Sequence, residues 1–351
     1  MANEVIVMLT ERQLLILEAI IQDYTNVGRP IGSKALERQL PMHVSSATIR
    51  NEMSVLERLG LVNKEHSSSG RVPSLKGYRY YVDNLVKPDA IDKRTLASIR
   101  ASFGSQFFKS DEILAESAQI LSEMTNYTAI AFKPETQDVF LQGFKIMPMG
   151  QQRVMAILAM SDGAVESQMF NLPKHISGEE LEAMVRVIND QVTGVPITQV
   201  VDKLQKSIPL LLHYVHQPRG FLDVFGRILD KAAQDQFFIG GKLNLLNFVE
   251  DGDIEQIKTL YSLIDHYDDI NGLIGNSGDN IQVKIGNELI NSSLANYSLI
   301  SATYDVDQHG KGLIALLGPT NMPYSKMIGL LGTLREELAS RLLDYYNLYD
   351  D

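Results

Sequence analysis

Apolar residues near the start of the chain recur at helical spacing. Leu14, Leu17, Ile21 and Tyr24 form one buried stripe. Thr10 and Gln13 form a capping box that opens this helix, Gly28 closes it, and Pro30 blocks its continuation. A short helix is predicted from about Gly32 to Leu40, where Pro41 ends it. Ser45 or Ser46 then caps a third helix running to about Leu59 and stopped by Gly60. In that third helix Ile49, Met53 and Leu56 share the inward side. The opposite side presents Ala47, Asn51, Ser54 and Arg58, flanked by Thr48 and Arg50. Leu61 to His66 reads as a strand, Ser67 to Gly70 as a tight polar turn, and Arg71-Val72-Pro73 as the returning strand. Three helices followed by a small hairpin is the order of a winged helix-turn-helix.

The pattern changes after Lys87-Pro88-Asp89, which reads as a hinge. Residues 92–126 are helical in period, with Ile113, Leu114, Ala118 and Leu121 as the core stripe. Alternating strands follow at Thr128–Lys133, Val139–Met147, Arg153–Met160 and Val165–Asn171. Helical spacing takes over from Ser177 to about Lys231. Phe237–Phe248 is mixed, and a further helix runs from about Ile254 to His266. Strands return at Ile281–Ile285, Tyr297–Tyr304 and Gly312–Leu317 before a last helix, Tyr324–Tyr346, with Leu330, Leu331, Leu334, Leu338 and Leu342 as its seam. Strands, a helical block and strands again predict one α+β domain, residues 88–172 and 250–351, split by an insertion at 173–249. The first module occupies residues 1–87.

Charge sharpens this division. The 351 residues carry a net charge of −11, yet residues 1–87 sum to +2 and residues 28–79 to +5, so the remainder carries −13. A basic module on an acidic body leaves one face suited to a polyanion. The chain contains no Cys, which excludes disulfides, thiolate zinc sites and a cysteine nucleophile, and fits a cytoplasmic protein. No apolar run reaches the roughly 20 residues of a membrane helix, and Met1–Gln13 lacks the pattern of a secretion signal, so no membrane association is expected.

Two readings fit the outward face of the third helix. It is an ordinary solvated surface, or it is a major-groove surface. In the second, Arg grips guanine O6 and N7, and Asn grips adenine N6 and N7. The hairpin favours the second reading, because small residues at its tip allow close approach to DNA, with Arg71 as the cation. The segments Ser45–Met53 and His66–Pro73 resemble the recognition helix and wing of the HrcA repressor family, and Lys76–Asp83, which follows the wing, resembles the family too. Glu65 departs from the pattern, where the family often has Pro before the His. Weaker landmarks continue the resemblance at Gly240–Leu246, Ile285–Glu288 and Gly312–Met322. Asn321 and Pro323 stand where relatives commonly carry Arg and Asp.

The resemblance implies a heat-shock repressor with a GAF-like domain interrupted by a dimerisation domain. It implies double-stranded DNA as ligand, an inverted-repeat operator, a homodimer, and modulation by heat and the GroE chaperonin. Thr48, Arg50 and Asn51 are expected to read bases. Ser45, Ser46, Ser67 and Arg71 are expected to hold phosphates, with Ser54, Arg58, His66, Gly70 and Lys76 completing the DNA-binding set.

The sequence carries no recognisable catalytic constellation. There is no P-loop, and the Gly272, Gly275 and Gly278 spacing is not a dinucleotide fingerprint. Asn276-Ser277-Gly278 is not a nucleophile elbow. His213 and His216 lack a third metal ligand, and Asp265–Asp269 reads as a solvated helix end. No cofactor and no enzymatic activity are expected. The alternative function is a regulator whose GAF-like domain takes a small effector.

Overall fold

The computed structural model describes residues 8–64, 70–103, 109–135, 139–161, 165–171, 177–207, 209, 237–249, 253–265, 267–274, 280–289 and 292–349. The N-terminal module consists of α1 (Glu11–Val27), α2 (Ser33–Gln39), α3 (Ser46–Arg58), β1 (Val62–Lys64), β2 (Arg71–Pro73) and α4 (Leu75–Asn84). The three helices and the hairpin come in the order the spacing predicts, and α4 is added after them. Thr10 and Gln13 close both halves of the capping box, and Gly28 takes the left-handed conformation that ends α1. Ile16, Leu17 and Ile20 from α1, Leu36 from α2, and Ile49, Met53 and Leu56 from α3 meet in one fully buried core. β1 and β2 pair antiparallel, with Lys64 opposite Arg71.

The chain divides into two compact units, residues 1–134 with 237–351, and residues 135–236. In the first unit the module is followed by α5 (Lys93–Ser102), α6 (Ser110–Thr125) and β3 (Thr128–Glu135). It resumes with β7 (Phe237–Gly240), α9 (Ile254–Asp265), α10 (Tyr267–Ile274), β8 (Gln282–Ile285), β9 (Tyr297–Asp305), β10 (Lys311–Pro319) and α11 (Tyr324–Tyr349). These strands form a five-stranded sheet in the order β7-β3-β10-β9-β8.

Alternation along β10 shows why both faces of this sheet are covered. Ile314 and Leu316 point into a core shared with α6 and α11, while Ala315 and Leu317 point into one shared with α9 and α10. The predicted seam of α11, Leu330, Leu331, Leu334, Leu338 and Leu342, is buried. The predicted α+β class therefore holds. Three elements lie outside the sequence expectation: α4, β7, which falls in the mixed stretch, and α10, which the acidic run at 265–269 hides.

The second unit corrects the predicted insertion. It contains the antiparallel meander β4 (Leu141–Gly150), β5 (Arg153–Met160) and β6 (Val165–Asn171), followed by α7 (Gly178–Val192) and α8 (Ile197–Lys206). The reading placed these strands in the domain spanning 88–172 and began the insertion at 173. The strands instead share a core with the helices that follow them. Phe144, Val154, Ala156 and Leu158 pack with Leu181, Met184, Ile188 and Val192.

The backbone supplies a second reason for this grouping. The chain leaving α7 runs along the outer edge of β4, with Gly194 N donating to Leu141 O (2.8 Å) and Leu141 N to Val195 O (3.0 Å). The Asn189 side chain donates to Phe144 O (2.7 Å) and accepts from Phe144 N (2.8 Å). Strands bonded in this way cannot belong to a separate fold. The later boundary moves too, because β7, placed in the insertion, pairs with β3 from Phe132↔Phe237 to Ala129↔Gly240.

Candidate nucleic-acid interface

α3 is positioned by contacts on three sides. Its start is held by Ser45, whose hydroxyl accepts from Thr48 N (3.3 Å) and shares a hydrogen bond with the Thr48 hydroxyl (3.0 Å). Glu37, from α2, accepts the Ser46 amide (3.1 Å), placing a carboxylate at the positive end of the helix. Along its flank, Glu52 accepts from Gln13 (3.0 Å) and pairs with Arg12 (3.4 Å), tying α3 to α1. At its far end, the Lys76 ammonium donates to the Leu59 carbonyl oxygen (3.0 Å).

What remains on the outward side is a compact polar face. Ala47, Arg50, Asn51 and Arg58 are exposed. Arg50, Asn51 and Arg58 have no hydrogen-bonding or ionic partner among the described residues, so their donors are available to an incoming ligand. Thr48 is half-buried at the edge of this face. Ser54 is half-buried, and its hydroxyl is turned back onto the Arg50 carbonyl (3.0 Å). Thr48, Arg50, Asn51 and Arg58 thus come together as the spacing predicts. Ser45 and Ser46 sit at the helix start with their donors and acceptors partly engaged.

The hairpin departs from expectation. Arg71 was assigned the role of wing cation, yet its side chain is only 10% exposed and pairs with Glu57 of α3 at 2.6 Å. Its backbone bridges to Ile31, with Arg71 N donating to Ile31 O (2.9 Å) and Ile31 N to Arg71 O (3.1 Å). Gly70 is also buried, against Pro30, and a Cβ there would fall 2.8 Å from the proline's own Cβ. These two residues form the root of the hairpin, and neither presents a surface. Lys76 is exposed but already committed to the Leu59 carbonyl. His66 and Ser67 lie outside the described residues, as do Glu65, His213 and His216.

Sequence reasoning passed over several residues. Lys64 is exposed directly across the hairpin from Arg71, and Arg38 and His43 are exposed on either side of the turn that leads into α3. Alternation gave no signal for Lys64, because it shares a strand face with buried Val62 and breaks the pattern. The acids Glu37, Glu52 and Glu57 were missed because a positioning carboxylate and a solvated one look alike in sequence.

α4 fastens the module to the sheet of the same unit. Arg79 forks onto Asp83 (2.7 and 3.1 Å) and reaches Glu288 (3.0 Å) and the Val283 carbonyl (2.7 Å). Burial alone would lower this guanidinium, but Asp83 and Glu288 outweigh it and hold it above its ordinary value. The Tyr78 ring packs on Tyr324 at 5.8 Å, and burial pushes both phenols far up from their usual range. Asp89 N donates to Ser325 O (3.0 Å), securing the segment read as a hinge.

Among the described residues, no helix is long and apolar enough to cross a membrane. Two families match the chain. Residues 8–84 match the winged helix-turn-helix transcription repressor, HrcA DNA-binding family, and residues 111–328 match the HrcA protein C-terminal domain. The heat-inducible transcription repressor HrcA of Ligilactobacillus salivarius is 58% identical, covering 98% of this chain and 100% of its own. Its counterpart in Limosilactobacillus reuteri is 50% identical over the same shares. A crystal structure of a hypothetical protein aligns with a TM-score of 0.58 at 21% identity, covering 97% of this chain and 99% of that one, which shows a shared fold.

Proposed function

The chain belongs to the HrcA family of heat-inducible transcription repressors, and on that premise we propose that it represses chaperone operons by binding an inverted-repeat operator as a homodimer. It is a DNA-binding repressor and not an enzyme. A two-fold dimer would set two α3 helices on major-groove faces about 34 Å apart, or a multiple of that, so the operator is palindromic. Thr48, Arg50 and Asn51 read base edges. Arg58, Ser45 and Ser46 hold phosphates. The observation that carries this reading is the exposed trio Arg50, Asn51 and Arg58, without partners among the described residues, on one side of a helix held at its start, its flank and its far end.

The remaining assignments extend the family resemblance. Residues 135–236, the unit inserted between β3 and β7, serve as the dimerisation domain. Repression is relieved by heat and sustained by the GroE chaperonin, and the protein works in the cytoplasm.

A gel-shift titration tests the proposal, comparing an inverted-repeat chaperone-operator fragment with a scrambled duplex, with and without chaperonin, at several salt concentrations. Selective binding that chaperonin strengthens and Arg50→Ala weakens is the expected result. Equal binding to both duplexes with a steep salt slope would leave a non-specific DNA-binding module.

A further inference from the structure

We propose that Arg71 and Glu57 act together as a positioning pair that sets the root of the hairpin against α3, and that Arg71 makes no phosphate contact. The inference rests on the DNA-binding reading above and assigns these two residues a role within it.

Three independent restraints converge on Gly70 and Arg71, where the returning strand begins. The Gly70 backbone lies against Pro30, where no side chain fits. The Arg71 backbone exchanges two hydrogen bonds with Ile31, adding a bridge beside β2. The Arg71 guanidinium then reaches Glu57 at 2.6 Å, with the arginine 10% and the glutamate 37% exposed. Pro30 and Ile31 precede α2, and Glu57 lies in the last turn of α3, one residue before the exposed Arg58. The hairpin root is thereby referenced to both helices of the helix-turn-helix.

The chemistry favours a strut over a DNA contact. A guanidinium at 2.6 Å from a carboxylate and almost fully covered would have to abandon a charge-assisted bond and its own buried position to reach a phosphate. Bidentate, planar donors suit arginine to fixing one element against another. Glu57 has no other evident use on a helix whose outward face is cationic and amide-bearing. An acid there repels DNA, and only a compensating structural role explains its place.

That repulsion makes the test sensitive to sign. If Glu57 merely sat near DNA, Glu57→Gln would remove a negative charge and tighten binding. A strut predicts the opposite. Full-length variants are titrated by fluorescence anisotropy against a duplex selected from a random-sequence pool by the wild-type chain, across a range of salt concentrations. Glu57→Gln and Arg71→Gln should each weaken binding at least tenfold. The double variant should be no weaker than either single one, because both remove the same contact.

The slope of log affinity against log salt should stay at the wild-type value in all three. The proposal is overturned if Glu57→Gln leaves affinity unchanged or raises it, or if Arg71→Gln lowers the slope by about 0.9, the signature of one lost phosphate contact. Circular dichroism melts on each variant separate loss of positioning from unfolding of the module. Should Arg71→Gln unfold, the sign of the Glu57→Gln effect still decides. A wild-type chain that selects no duplex from the pool would sink the DNA-binding reading itself, a distinct failure.

Discussion

Arginines occupy two kinds of place in the N-terminal module. On the outward face of α3, Arg50 and Arg58 are exposed and unpartnered among the described residues. At the hairpin root and on α4, Arg71 and Arg79 are gripped by Glu57, Asp83 and Glu288. Both kinds contribute equally to the +5 of residues 28–79. The difference teaches that basic charge in a DNA-binding sequence has two uses. A cation whose carboxylate partner is already in place fixes one element against another, and one without a partner is left for an incoming ligand. Burial and partners separate them, and residue type does not.

The contrast can be broken most severely from the holding side. Gly77 begins the face of α4 that meets the hairpin root, and a Cβ there would collide with the Leu61 carbonyl oxygen. Gly77→Ala should cost on the order of 3 kcal/mol or more, read as a lowered urea midpoint for the full chain. Alkali attacks the same side.

Tyr78 and Tyr324 have folded pKa values far above 10 because they are buried, so the unfolded chain loses its phenolic protons first. Their stabilisation is complete below pH 10 and is lost as pH rises beyond it. The two phenols together should contribute a loss on the order of 2–3 kcal/mol by pH 11. Urea unfolding at pH 9 and 11 checks this, and Tyr78→Phe should shrink the difference. No change with pH would mean that the Tyr78–Tyr324 contact is open in solution.

The reading side should respond differently. Arg50→Ala should cost roughly 1–3 kcal/mol of specific binding and relax preference at one base pair per half-site, while leaving the urea midpoint unchanged. Arg79→Ala should show the reverse: about 1–2 kcal/mol of stability lost, with base preference retained. Hydrogen exchange should locate that loss at α4 and β8. If Arg79→Ala relaxed base preference as much as Arg50→Ala, the division between the two kinds of arginine would collapse. Ser45→Ala removes the cap of α3 and should weaken stability and operator affinity together by about 1 kcal/mol, the smallest effect here.

Much of this was legible in the residues because it is local. α3 was placed to within a residue at each end, since a serine cap, a three-residue apolar stripe and Gly60 all fall inside one window. Strand limits such as Arg153–Met160 and Val165–Asn171 were equally readable from alternation. Domain membership was not. β4, β5 and β6 alternate like any half-buried strands, and nothing in them states that Leu141 will pair with Val195 or that Asn189 will bond Phe144. Those pairings are long-range, and they decided the boundary. The site followed the same rule. Arg50, Asn51 and Arg58 were found from helical period alone, whereas the burial of Arg71 depends on a glutamate fourteen positions away in sequence.

The split sheet also dictates an order of assembly. β3 ends at residue 135, but its neighbours β7 and β10 begin only at residues 237 and 311. On a ribosome extending the chain at roughly 5–20 residues per second, β3 must wait on the order of ten seconds or more before β10 is made. During that interval α1, α2 and α3 can already bring Ile16, Leu17, Leu36, Ile49 and Met53 together, whereas α4 still lacks its contacts with Tyr324, Val283 and Glu288. The apolar face of β3, by contrast, stands uncovered with both edges open, the kind of surface that aggregates or is captured before it folds. A newborn chain therefore carries its first helices on an unfinished body, and the interval before its sheet closes is when help with folding would matter most.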